Sequence, residues 1–109
     1  MRYFRGIYAF IKKENASILV LNGTSIDGLA GKKSTELKSF GYNVVGTASA
    51  PTKTYTKTVL VDMRSGAKKY TQNYLEKRFG ITAVTALPDP AIVPGTADFV
   101  ILLGTDANN

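Results

Sequence analysis

The residues best placed to do chemistry form one short run, Asn22-Gly23-Thr24-Ser25-Ile26-Asp27-Gly28. Two hydroxyls, a carboxamide and two glycines stand just ahead of a helical pattern. Backbone N–H groups at such a corner suit an anion such as phosphate or carboxylate. Gly23 and Gly28 have the spacing of a Walker A loop, but Leu29-Ala30 stands where Lys-Ser/Thr belongs, and G-x-G-x-x-G does not occur. The same residues also read as plain architecture. Asn22-Gly23 shapes a turn, Asp27 caps a helix, and Gly28 and Ala30 permit close helix–sheet packing. Asn22, Gly23, Thr24 and Ser25 are thus ligand-binding candidates with a structural alternative.

A second candidate is Thr52-Lys53-Thr54-Tyr55-Thr56-Lys57-Thr58. On an edge strand, Lys53, Tyr55 and Lys57 would share one face. A tyrosine flanked by lysines can stack on a sugar or base and pair with an acidic group. The alternative is an exposed edge that lysines protect from aggregation. Lys68, Lys69, Lys77 and Arg78 are spread along a later helix, with Arg64 just before it, and read as a solvated face. Asp27, Asp62, Asp98 and Asp106 are far apart in sequence and form no motif for metal binding or acid–base catalysis.

Composition narrows the classes further. Histidine and cysteine are both absent, which excludes disulfides, Ser-His and Cys-His nucleophiles and the commonest metal ligands. Neither a metal nor a cofactor is expected. Fourteen Lys and Arg against eight Asp and Glu give net +6 in 109 residues, which points to an anionic partner or to a charge that only keeps the domain soluble. No apolar run reaches the roughly 18 residues that a membrane span requires. Met1 to Lys13 is broken by Arg2 and Arg5 and lacks a small-residue cleavage site, so it is not a signal peptide.

Stepping outward to the elements, residues 1–15 form an amphipathic helix or a linker from a preceding domain, with Tyr3, Phe4, Ile7, Tyr8, Phe10 and Ile11 near helical spacing. That stripe can dock on the domain body, fray, or lie on a membrane surface. Residues 16–109 form one domain. Its first strand is Ser17 to Leu21, an apolar run suited to a strand covered on both faces. A helix follows from about Gly28 to Phe40, with Leu29, Ala30, Leu37 and Phe40 inward. The second strand is Asn43 to Thr47 and the third is Thr54 to Val61. A second helix from about Ala67 to Phe79 turns Ala67, Tyr70, Tyr74, Leu75 and Phe79 inward. Ile81 to Val84 is a fourth strand, Leu87 to Gly95 a proline-rich loop, and Phe99 to Leu103 a central fifth strand. Gly41 and Gly80 take the position after each helix, where glycine tolerates a left-handed backbone.

The sequence Lys38-Ser39-Phe40-Gly41 echoes Lys77-Arg78-Phe79-Gly80, and both follow a strand–corner–helix unit. The expected class is α/β, a two-layer α+β sandwich. It is ferredoxin-like βαββαβ with one extra strand: a mixed sheet, two helices on one face, and a short N-terminal helix.

The block Val20-Leu21-Asn22-Gly23-Thr24 with Gly28-Leu29-Ala30 carries a resemblance. Leu37, Phe40-Gly41-Tyr42-Asn43-Val44, Thr58-Val59-Leu60-Val61 and the ending Asp98 to Asp106 support it. Over roughly Ala16 to Asp106 the chain resembles the LytR C-terminal domain, found behind the catalytic domain of LytR-CpsA-Psr cell-wall proteins. The resemblance implies a bacterial, extracytoplasmic, non-catalytic envelope module, exported by a segment this stretch of sequence does not contain. It implies as partner an anionic wall polymer, a glycan, a wall-assembly protein or a neighbouring catalytic domain. The alternative function is a basic single-stranded nucleic-acid-binding domain, although the aromatic RNP1 pattern is missing. A hydrolase or transferase would need a carboxylate or lysine mechanism for which no residues stand out.

Overall fold

The computed structural model describes residues 9–108. A four-stranded mixed sheet, ordered β2-β1-β4-β3, forms its centre. In chain order the elements are helix α1 (residues 9–14), β1 (Ser17–Asn22), α2 (Leu29–Ser39), β2 (Asn43–Ser49), β3 (Val59–Asp62), α3 (Lys69–Phe79), β4 (Phe99–Leu103) and a final 3-10 turn, Thr105–Ala107. β1 runs parallel to both β2 and β4, and β3 pairs antiparallel with β4.

Both principal helices lie on one face. Ile18 and Val20 of β1, Leu60 of β3, and Phe99, Ile101 and Leu103 of β4 form one buried cluster with Leu29, Ala30 and Leu37 of α2 and Leu75 of α3. The alternate residues Leu21, Val61, Val100 and Leu102 point to the other face, where Ala50, Ile92, Tyr55 and Leu87 from loops cover them. Strand alternation sends successive side chains to opposite sides. A strand buried on both faces therefore reads as an unbroken apolar run, as Phe99–Leu103 does.

The two echoed units are present as β1–α2–β2 and β3–α3–Val84. Each has a parallel return, and they run in opposite directions on either side of β4. Gly41 (φ 95°) and Gly80 (φ 67°) are both left-handed, as the echo predicts. Past α2 the amide of Tyr42 reaches back to Leu37 O at 3.2 Å, and past α3 that of Ile81 reaches Glu76 O at 3.0 Å. The two helix ends thus close in the same way. Phe40 and Phe79 are half-buried against the core rather than fully buried. The Arg78 guanidinium lies 3.9 Å above the Phe40 ring, which holds the two helix ends together.

Several local expectations change. β1 and β2 are direct neighbours, whereas a split βαβ places another strand between them. The third strand starts at Val59, because residues 52–58 are irregular. The expected fourth strand is a single bridge, Val84 to Val61. Asp27 does not cap α2. Gly28 is the cap residue, left-handed at φ 77°, and no side chain bonds there. α3 begins at Lys69, which leaves Ala67 outside it and Tyr70 exposed.

Tyr3, Phe4, Ile7 and Tyr8 of the N-terminal stripe lie outside the described residues. In the described part of α1, Ile11 is buried in the core cluster. Glu14 caps α3 from a distance, accepting the amides of Tyr70 at 2.9 Å and Thr71 at 2.6 Å. The orphan N–H groups of a helix start are thereby satisfied by a carboxylate, which also suits the helix dipole. Lys68 Nζ donates to Glu14 O at 2.7 Å, and the Phe10 ring stacks on Tyr70 at 4.7 Å.

Candidate functional site

Parallel strands gather loops at their C-terminal ends, where open α/β sheets take ligands. Here β1 and β4 deliver Asn22–Gly28 and Gly104–Asp106 to the same end, and residues 55–58 cross over both. The join is made by backbone bonds. Gly23 N donates to Leu103 O at 2.9 Å, Tyr55 N to Gly23 O at 3.0 Å, Thr105 N to Tyr55 O at 3.0 Å, and Asp106 N to Thr56 O at 3.1 Å. Asp106 then clasps the crossing segment. Its carboxylate accepts Thr58 N at 3.0 and 3.2 Å and Thr58 Oγ1 at 2.6 Å. Thr58 Oγ1 in turn accepts Gly104 N at 3.1 Å. Thr58 is buried and its hydroxyl is bonded on both sides, so it acts as a tie and not as a nucleophile.

Two glycines make this closeness possible. A Cβ on Gly23 would stand 2.7 Å from Leu103 O and 2.8 Å from the Tyr55 ring. One on Gly104 would stand 2.6 Å from the backbone of Thr56 and Lys57. Neither glycine has a positive φ, so space and not conformation requires them.

The corner itself is internally bonded. Asn22 Oδ1 accepts Thr24 N at 2.9 Å and Thr24 Oγ1 at 2.6 Å, and Asn22 Nδ2 donates to Ile26 O at 2.8 Å. Thr24 Oγ1 accepts Ile26 N at 3.1 Å. The amides of Gly23, Thr24 and Ile26 are spent on the fold, and Ser25, Asp27 and Gly28 are the exposed members of the corner.

The two sequence candidates are brought together at Gly23 and Tyr55, but not as a flat contact strand. Tyr55 is half-buried and packs toward the second core cluster, while Lys53 and Lys57 are exposed. Sequence reasoning missed Thr58 as a partner of Asp106, since 48 positions separate them. Both do stand within blocks that carry the family resemblance.

At the opposite end of β1 and β4 is a second polar node. Asp98 accepts Ser17 N at 3.0 Å and Arg64 Nε at 2.8 Å, and Arg64 also reaches Thr96 O. Burial pushes the Asp98 carboxyl up, but the bonds from the Ser17 amide and Arg64 outweigh it and hold the group below its ordinary range. The neighbouring Asp62 is buried and accepts Arg64 N at 2.8 Å and Gly66 N at 2.7 Å, shaping the corner before α3. These carboxylates organise turns. Among the described residues no group of three or more acidic, His or Cys side chains is arranged to hold a metal ion. No helix there is long and apolar enough to cross a membrane.

Charge is distributed unevenly over the described residues. With the Lys68 cap, the helices carry nine lysines and arginines against Glu14, Glu36 and Glu76. The strands and loops carry Lys53, Lys57 and Arg64 against five aspartates. The helical layer is strongly cationic and the remainder slightly anionic.

Searches of curated proteins and of solved structures give no match. A family model described as LytR cell envelope-related transcriptional attenuator matches residues 15–106. That span runs from the turn after α1 through the Asp106 clasp, and it includes both glycines that permit the clasp. The chain therefore belongs to the LytR C-terminal family, a family of cell-envelope proteins.

Proposed function

We propose that this domain is a non-catalytic, extracytoplasmic module that holds an anionic wall glycan or polymer against its helical layer. The observation that carries this reading is the one-sided charge. Nine cations against three glutamates lie on one face of a small sheet, and such a field concentrates and orients a polyanion. Exposed Lys32, Lys38, Lys69 and Lys77 supply the contacts. Lys53 and Lys57 extend the contact on the loop side, and Ser25 is exposed at the corner. Single-stranded nucleic acid is the weaker reading. The sheet face on which bases would stack is covered by Ala50, Tyr55, Leu87 and Ile92.

The test is a pull-down on purified cell wall across a salt series. Wild type binds at low salt and releases as screening shortens the reach of its charges. Lys32→Glu/Lys69→Glu is the informative variant. Both residues are exposed near the starts of their helices, and a melting temperature close to that of wild type checks that the fold survives while the face loses charge. Its binding falls well below that of Lys53→Glu/Lys57→Glu. A greater loss in Lys53→Glu/Lys57→Glu moves the contact to the loop side. No binding at low salt defeats the polymer reading. Tighter binding to single-stranded RNA favours the nucleic-acid reading.

A further inference from the structure

The two edges of the sheet are finished differently. Beyond β3, Val84 closes the edge, with Asp62 N donating to Val84 O at 2.8 Å and Val84 N to Leu60 O at 2.9 Å. Beyond β2 there is no further strand among the described residues. β2 lacks the charges and the proline that blunt many exposed edges, since Asn43 to Ser49 contains neither. One irregularity is present: Ile18 pairs with Val44 and Leu19 with Gly46, so Val45 is bulged and 58% exposed. From Gly46 to Ser49 the register is regular. Ala50 N donates inward to Asn22 O at 2.9 Å. By backbone alternation Gly46 and Ala48 also face β1, and Thr47 and Ser49 present their N–H and C=O groups outward.

An open groove of about 300 Å³ runs beside this edge, between β2 and α2. Gly31, Ser34 and Thr35 leave room in it, and Lys38 stands at its side. The segment that builds the edge, residues 28–53, carries Lys32, Lys33, Lys38 and Lys53 against Glu36 alone. That glutamate is engaged by Lys33 at 3.4 Å.

We propose that β2 is a docking edge, and that an acidic, extended segment of a partner protein adds to it as a fifth strand. The incoming backbone bonds to Thr47 and Ser49. Alternate side chains enter the groove beside α2, and the acidic ones reach Lys38. A second copy of this chain fits less well. A two-fold β2–β2 pair would set the two α2 helices side by side on one face and bring their lysines together.

The experiment is an amide NMR titration of the full chain with a synthetic peptide of alternating glutamate and valine. The controls are the lysine–valine peptide and a glutamate–valine peptide N-methylated at consecutive central amides, which blocks both of its edges. Saturable shifts confined to Lys38 and Gly46–Ser49, absent with both controls, are expected. Thr47→Pro removes an outward donor at an edge position that tolerates proline, and it abolishes the shifts. Lys38→Glu weakens binding several-fold. The proposal is overturned by absence of shifts, by equal binding of the lysine peptide, or by binding of the N-methylated peptide. That last control needs no mutation, so it decides the matter even where Thr47→Pro unfolds. A concentration-dependent dimer in sedimentation that shields Gly46–Ser49 would also overturn it in favour of self-pairing.

Discussion

At the scale of single residues, the candidate site is a joint in which small size matters more than reactivity. Gly104 lies against the backbone of Thr56 and Lys57, which has no soft end to move aside. Gly104→Ala should lower stability by about 2 kcal/mol or more in urea denaturation, as overpacking does. Gly31, inside α2, has nothing within 4 Å of an added Cβ, so Gly31→Ala should raise stability by roughly 0.5–1 kcal/mol through helix propensity. The same substitution with opposite signs separates glycines held by space from those held by no contact at all. Asp98 gives a second test. Its folded pKa lies below the unfolded value, so its contribution is complete above roughly pH 4 and is lost as pH falls through the folded pKa. The melting-temperature gap between wild type and Asp98→Asn should be constant near neutrality and should close on acidification below that value. A gap that persists unchanged in acid would mean the loss is one of packing and not of charge.

At the scale of elements, α1 and α3 depend on one another. Glu14 supplies the cap that Lys68 and Lys69 cannot, because neither side chain can accept an amide hydrogen. Glu14→Ala should cost about 1 kcal/mol and speed hydrogen exchange first at Tyr70 and Thr71. Exchange that rises uniformly over the domain would show that α1 matters only through Ile11. This cap was invisible in the sequence, since 56 positions separate Glu14 from Tyr70. What was legible were the elements stabilised by their own pattern. The apolar run Phe99–Leu103 is β4 to the residue, and the two Phe-Gly helix ends behave alike. Residues 54–58 misled because they alternate like a strand. Their backbone bonds go instead to Gly23 and to the Thr105–Asp106 turn, and tertiary pairing overrides local propensity there. Ile81–Val84 misled for the converse reason. It makes one bridge, enough to close the edge but too short for a ladder. In the site, the Asn22-Gly23-Thr24 corner was legible as a turn, but its partners Tyr55 and Leu103 were not, because sequence spacing does not encode long-range contacts.

At the scale of the whole molecule, the sheet separates two surfaces of different construction. The helical side is regular, cationic and packed on Leu29, Leu37 and Leu75. Among the described residues the other side has no helix, yet its strand residues are as deeply buried. Val61, Val100 and Leu102 are all 0% exposed beneath loop residues. A two-layer sandwich with one bare sheet face would have needed polar residues at those positions. The loops are therefore part of the core, and the proline-rich stretch from Leu87 to Gly95 works as a lid on it. Ile92 is the buried side chain of that stretch, at 4% exposure. Ile92→Ala should cost about 2–4 kcal/mol, comparable with truncating a residue under the helices. A surface connection would lose less than about 0.5 kcal/mol. Chemical denaturation of Ile92→Ala beside Leu37→Ala distinguishes the two cases. Similar losses in a single cooperative transition would show that both faces fold as one unit. A small loss for Ile92→Ala alone would mean that the apolar second face is held by Ala50 and Tyr55 without the lid.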